Sequence, residues 1–160
     1  RIAENAGWDE TMLRVEMEAL QLDDFDMSLT GFDADALAEA AFDIAATVSA
    51  KAIICFTSSG STARRIARER PAVPILVLTP KMETARQLGL LWGTHAVHTK
   101  DVGSFEEMVA KSKRMALRHG LARGGDRVIV MAGVPFGTPG STNVLHVVRL
   151  TGDELKGYES

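Results

Sequence analysis

The stretch with the clearest chemical potential is TSSGST, residues 57–62. Thr57, Ser58, Ser59, Ser61 and Thr62 place five hydroxyls around Gly60. AIICF (52–56) precedes it, a short apolar run rich in β-branched and aromatic residues, which reads as a buried strand. STARRIARER (61–70) follows at helical period and stops at Pro71. Small residues at such a junction let backbone N–H groups converge. The first helical turn adds partial positive charge and the hydroxyls add donors, a combination that suits a phosphate. In open α/β sheets, ligands bind at the carboxyl ends of strands, where this loop would lie. The same six residues also read as a polar connection whose serine caps the helix. They are not a Walker P-loop, because the GK[ST] ending is missing.

A second loop, AGVPFGTPGSTN (132–143), joins two further apolar runs. Gly137 and Gly140 admit positive φ, Pro135 and Pro139 stiffen the chain, and Thr138, Ser141 and Thr142 add hydroxyls. It reads either as a long connection or as a functional loop at a strand terminus. Folded over TSSGST, it would complete one anion pocket. Arg64 and Arg65 stand in the first turn of the following helix, where cations oppose the helix dipole. They are either a clamp for a second phosphate or solvated surface arginines.

Other reactive types carry less. His95 and His98 lie three apart on a short strand and face opposite ways, with no cysteine or carboxylate cluster, so a metal site is not expected. Cys55 reads as a core residue without a catalytic partner, and Trp92 as core or interface. KSKRMALRH (111–119) is a basic helix face without interleaved aromatics, a weak basis for nucleic-acid binding. No paired acid/base constellation, redox motif or GxSxG elbow is present.

The elements that must position these loops alternate regularly. ALAEAAFDIAATV (36–48), STARRIARER, KMETARQLGLLWG (81–93) and SFEEMVAKSKRMALRHG (104–120) have helical spacing. Ser104 and Glu107 have capping-box spacing, and Gly93 and Gly120 are C-terminal stops. AIICF, PILVLT (74–79), THAVHTK (94–100), DRVIVMAG (126–133) and NVLHVVRL (143–150) read as strands. Nearly all-apolar strands between helices predict a mostly parallel sheet covered on both faces. The last strand follows too closely for a parallel crossover and is predicted antiparallel. The expected fold is a three-layer α/β/α sandwich with five strands.

At 160 residues the chain can bury a real core, and 46% hydrophobic with 24% charged residues is a globular composition. One cysteine, strand-sized apolar runs and no signal-peptide pattern predict a cytoplasmic protein away from membranes. The absence of an initial methionine reads as a fragment, a processed product or an engineered chain. Residues 1–40 hold eleven acids and two bases, a net −9, and residues 41–160 hold ten acids and sixteen bases, a net +6. Residues 1–35 break the strand–helix rhythm. WDETMLRVEMEALQL (8–22) is an acidic amphipathic helix by its spacing, and after a turn at Gly31 Asp33 caps a helix start. The expected organisation is an acidic helical segment (1–35), an α/β domain (36–152) and a tail (153–160).

Residues 50–97 resemble the C-terminal domain of pyruvate kinase. The likeness runs in order through a strand, a T-x-S-G-x-T-A loop, RERP, P-I-L-x-L-T-P and L-x-L-x-W-G. GDRVIVMAGVPFGTPGSTNVLHVVRL (125–150) is similar to that family's closing G-x-P-x-G-x-x-G-S-T-N segment. The resemblance covers about residues 36–152. It implies a non-catalytic α/β sandwich with an allosteric site for a sugar phosphate or nucleotide, and a share in homo-oligomer contacts. It places effector binding on Thr57 to Thr62 and on roughly Gly137 to Thr142. Fructose-bisphosphate-activated members often carry a cation in the first loop, with a Trp and an Arg between the loops. TSSGST holds no cation and that pair is not placed in this sequence, which argues against fructose bisphosphate and leaves a monophosphate sugar or a nucleotide. The family's magnesium and potassium sites belong to a β/α barrel, which needs about 200 residues or more and has no room here. No cofactor and no phosphoryl transfer are expected of these residues.

NAGWDETMLRVEMEALQLDDFDMSLTGFDADAL (5–37) is similar to a helical stretch of ParB-like nuclease domains fused to DNA methyltransferases. With the charge step, this implies a chimera joined near ADALAEAA; the other reading is a divergent protein of single origin. Three functions follow as expectations. The first is a regulatory phosphate-binding module. The second is an assembly module with a vestigial pocket. The third, a DNA-associated protein, is opposed by the −9 segment.

Overall fold

The computed structural model describes residues 33–134 and 142–154. The predicted helix over 8–22 and the turn at Gly31 lie outside them. From Asp33 onward the elements are α1 (Ala34–Thr47), β1 (Ile53–Phe56), α2 (Ser61–Glu69), β2 (Ile75–Thr79), α3 (Met82–Leu88), β3 (Thr94–His98), α4 (Phe105–Arg118), β4 (Arg127–Ala132) and β5 (Val144–Arg149). The strand order is β3-β2-β1-β4-β5. β1 pairs in parallel with β2 and β4, β2 in parallel with β3, and β5 runs antiparallel to β4. This is the architecture predicted above.

The layers follow from strand alternation. Ile53, Cys55, Ile75, Val77, Ile129 and Met131 meet the small faces of α1 and α2 and Leu88 of α3. Ile54, Phe56, Leu76, Leu78, Val128 and Val130 face the other way, onto Met108, Met115 and Ala116 of α4. β1 and β2 are buried at every residue, as strands with both faces covered must be. Cys55 is fully buried, and desolvation pushes its thiol up to about 12, so it packs as an apolar residue.

Local signals account for most helix ends. Asp33 Oδ1 accepts from Ala36 N at 2.6 Å and starts α1. Ser104 Oγ accepts from Glu107 N at 3.1 Å, while Glu107 Oε2 accepts from Gly103 N, a residue earlier than the box predicts. One boundary needs correction. The pattern over 81–93 predicts a helix to Gly93, yet α3 stops at Leu88. Leu90 N and Leu91 N instead donate to Gln87 O and Leu88 O, and Thr94 Oγ1 donates to Leu88 O and to Leu91 O. Those side-chain bonds satisfy carbonyls that a longer helix would use.

At the β3 edge, His95 Nε2 and His119 Nδ1, just past α4, lie 3.0 Å apart. Burial lowers the His119 pKa, with the His95 ring and Arg118 disfavouring charge further. The unfolded chain therefore takes up this proton more readily. Its contribution to stability is complete above pH 6.5 and is lost as pH falls below that value. Melting temperature should drop between pH 7.5 and pH 5, and His119→Gln should flatten that drop. An equally steep profile in the variant would assign the effect elsewhere.

Candidate functional site

β1 ends at the sheet's carboxyl edge and releases the chain into the serine loop. Thr57 stays attached to the sheet, its N–H donating to Leu78 O at 3.1 Å. Its Oγ1 accepts from Gly60 N at 2.9 Å, which folds the loop back on itself. Gly60 occupies the N-cap of α2 at φ 84°, a left-handed conformation. α3 supports the loop from beside it, as Thr84 Oγ1 donates to Ser58 O at 3.1 Å.

Helix capping at this junction is weak. No side chain caps α2 in the usual way. Ser59 Oγ accepts a long hydrogen bond from Ser61 N at 3.4 Å and donates to Ser61 Oγ at 3.1 Å. The start of α2 thus presents main-chain donors and an exposed pair of serine hydroxyls at the positive end of its dipole.

Among the described residues, the end of the second loop meets this point at Thr142. Thr62 Oγ1 and Thr142 Oγ1 lie 2.6 Å apart, both side chains buried. Asn143 fastens the base of that loop, with Oδ1 accepting from Val134 N at 2.8 Å and Nδ2 donating to Val134 O at 2.6 Å. Asn143 carries no role in the sequence reading. An amide side chain at the foot of a Gly/Pro-rich loop was the available signal. Gly137, Thr138, Gly140 and Ser141 lie outside the described residues.

The two arginines part company. Arg64 turns back over the serine loop, with Nη1 donating to Ser59 O at 3.1 Å and Nη2 to Gln87 Oε1 at 3.5 Å. Arg65 turns toward α1, its Nε 3.1 Å from Asp35 Oδ1, an oxygen shared with Arg68 Nη2 at 2.8 Å. So Thr57 to Thr62, Arg64 and Thr142 converge, and Arg65 does not join them. Trp92 is 51% exposed and is not a core residue, because α3 ends early and the turn that follows packs Leu91 on the core while leaving Leu90 and Trp92 outside. His95 and His98 do face apart: His98 Nε2 lies 3.2 Å from Pro80 O. Among the described residues, no three His, Cys, Asp or Glu side chains cluster as a metal site would need. No helix among them is long and apolar enough to cross a membrane.

Comparison with known proteins agrees with this geometry. Residues 35–148 match the family model of the pyruvate kinase alpha/beta domain. Residues 11–53 match that of the ParB-methyltransferase HTH domain, which overlaps α1 and the start of β1. A pyruvate kinase of Methylorubrum extorquens is 45% identical over 117 residues, which are 73% of this chain and 24% of that protein. One from Agrobacterium vitis is 46% identical over 114 residues, 71% of this chain and 24% of its own. One from Mycobacterium tuberculosis is 38% identical over 116 residues, 72% and 25% respectively. The chain thus spans about a quarter of the length of these relatives.

Proposed function

This chain belongs to the pyruvate kinase alpha/beta domain family, and from that premise we propose that it is a regulatory module binding a phosphorylated effector. The observation that carries the reading is the buried 2.6 Å contact between Thr62 and Thr142, which brings two hydroxyl-rich loops to one helix start. Ser58, Ser59, Ser61 and Thr62 would surround the phosphate with main-chain N–H groups, and Arg64 would add a cation from the side. The 134–142 loop would close over it, with Asn143 holding its base. The ligand is a sugar monophosphate or a nucleotide.

In a longer enzyme of this family, the effector would act through differential affinity for two subunit arrangements. The module itself would work in the cytoplasm, contribute to homo-oligomer contacts, transfer no phosphoryl group and need no metal. Nucleic acid is not its ligand, since the acidic leader repels a phosphate backbone.

The test is calorimetric titration with glucose 6-phosphate, ribose 5-phosphate and AMP. Wild type should bind at least one with saturation. Ser59→Asp, which sets a negative charge where the phosphate would sit, should weaken that binding more than about tenfold. Failure of every phosphorylated metabolite to bind wild type, or equal binding to both proteins, would sink the reading.

A further inference from the structure

The amino end of the sheet, opposite the serine loop, carries a row of cations. β4 begins at Arg127 and β5 ends at Arg149, and the two are register partners. Leu150 N donates to Asp126 O at 2.9 Å. Asp126 and Leu150 therefore hold a hydrogen-bonded position. Arg127 and Arg149, one step on, hold a non-hydrogen-bonded one, where facing side chains stand closest. On the other side of β4, Lys51 N donates to Arg127 O at 2.8 Å. The parallel register of Ile53 with Ile129, carried back two residues, sets Lys51 beside Arg127. Ile53 and Ile129 face α1, so the row falls on that side of the sheet. Lys51, Arg127 and Arg149 are all exposed.

Such a row is unfavourable in the absence of an anion. Like charges directly opposite each other destabilise an antiparallel pair. Among the described residues, ion pairs join Arg65, Arg68 and Lys113 to carboxylates, and none joins a member of the row. Arg127 Nη1 donates to Val48 O, at the end of α1, at 3.4 Å, which engages one of the five donors of a guanidinium. The row is also held by backbone. Ser49 turns left-handed at φ 52° and Ala50 N donates to Ala45 O at 2.9 Å, which closes α1 and delivers Lys51 to the sheet.

The spacing points to the class of anion. Neighbouring strands stand about 4.8 Å apart, so three in a row span about 10 Å. A single phosphate can be forked by two of these side chains, whereas a chain of phosphate groups reaches all three. We propose that Lys51, Arg127 and Arg149 form an anion site for a linear oligophosphate. Lys51 precedes Thr57 by six residues, about 20 Å of strand, so this site is distinct from the serine-loop cradle and does not rest on it.

The test uses the 160-residue chain carrying Ser59→Asp, so that the cradle adds no phosphate binding. Inorganic triphosphate is titrated by calorimetry at fixed ionic strength, with orthophosphate and hexaglutamate as comparisons. Triphosphate should bind with saturation, and orthophosphate about tenfold or more weakly. Arg149→Thr and Lys51→Gln should each weaken triphosphate about tenfold. Without ligand, Arg149→Thr should melt no lower than its Ser59→Asp parent, since it removes a like-charge contact and sets a good strand former at an exposed position. Binding lost while stability is kept separates a ligand site from a structural one. No saturable triphosphate binding, orthophosphate binding as tightly, indifference to both substitutions, or a lower melting temperature in Arg149→Thr would each overturn the proposal. Hexaglutamate binding as tightly as triphosphate would overturn it too, and would assign the row to an acidic protein segment.

Discussion

Gly60→Ala is expected to destabilise the protein by about 2–4 kcal/mol, from left-handed strain plus overpacking. At φ +84° an alanine is strained before any contact is counted. The added Cβ would then stand 2.9 Å from Arg64 Nη1 and 3.0 Å from Leu88 Cδ2. Arg64 is exposed and can swing away. Leu88 is fully buried between α3 and the sheet and cannot move without disturbing the core. The substitution also displaces Arg64 from Ser59 O, so it should weaken phosphate ligands as well. Urea denaturation gives the first number and titration the second. A loss below about 0.5 kcal/mol would mean that the loop relaxes into a conformation open to any residue.

The Thr62–Thr142 contact should show strong coupling. Valine at either position keeps the volume and removes one hydroxyl, leaving its partner buried and unpaired. Each single change should cost about 1–3 kcal/mol, and the double change much less than the sum. A double-mutant cycle by urea denaturation measures this coupling, expected at about 1–2 kcal/mol in magnitude. Additive losses within about 0.3 kcal/mol would mean that the loops do not depend on each other. The cycle also bears on function. If the two loops form one pocket, the double variant should keep its stability yet lose affinity for phosphorylated ligands, because Thr142 is no longer tied to Thr62 at the start of α2.

How much of this was legible beforehand depends on range. β1, β2, β4 and β5 were readable because each is a largely apolar run short enough for one sheet layer, bounded by turn residues, and β3 because THAVH alternates. The antiparallel β5 was readable because about ten residues cannot hold a crossover helix. The cap at Asp33 and the Ser104 bond are contacts three residues apart, so local spacing carried them. α3 was misjudged for the complementary reason. QLGLLWG continues the helical period, and nothing local announces that Thr94, from the next strand, takes its last carbonyls.

The candidate site divides in the same way. The residue types of TSSGST and its place after a strand were enough to nominate an anion site. Whether its serine capped the helix was undecidable from spacing, since both readings use the same hydroxyls. The backbone at Gly60 turns left-handed and leaves α2 with only the long 3.4 Å bond from Ser61 N to Ser59 Oγ.

The pairing of Thr62 with Thr142, 80 positions apart, exists only because β1 and β4 are adjacent in the sheet. Arg64 and Arg65 are neighbours of one type in sequence, yet helical rotation sends one to the serine loop and the other to Asp35. The sequence by itself determined the class of fold, the buried strands and the chemistry that each loop can offer. Tertiary structure alone decided that Thr142 meets Thr62 and which arginine turns to the serine loop. Periodicity and capping are local, whereas loop-to-loop contacts are set by strand order and packing across the sheet.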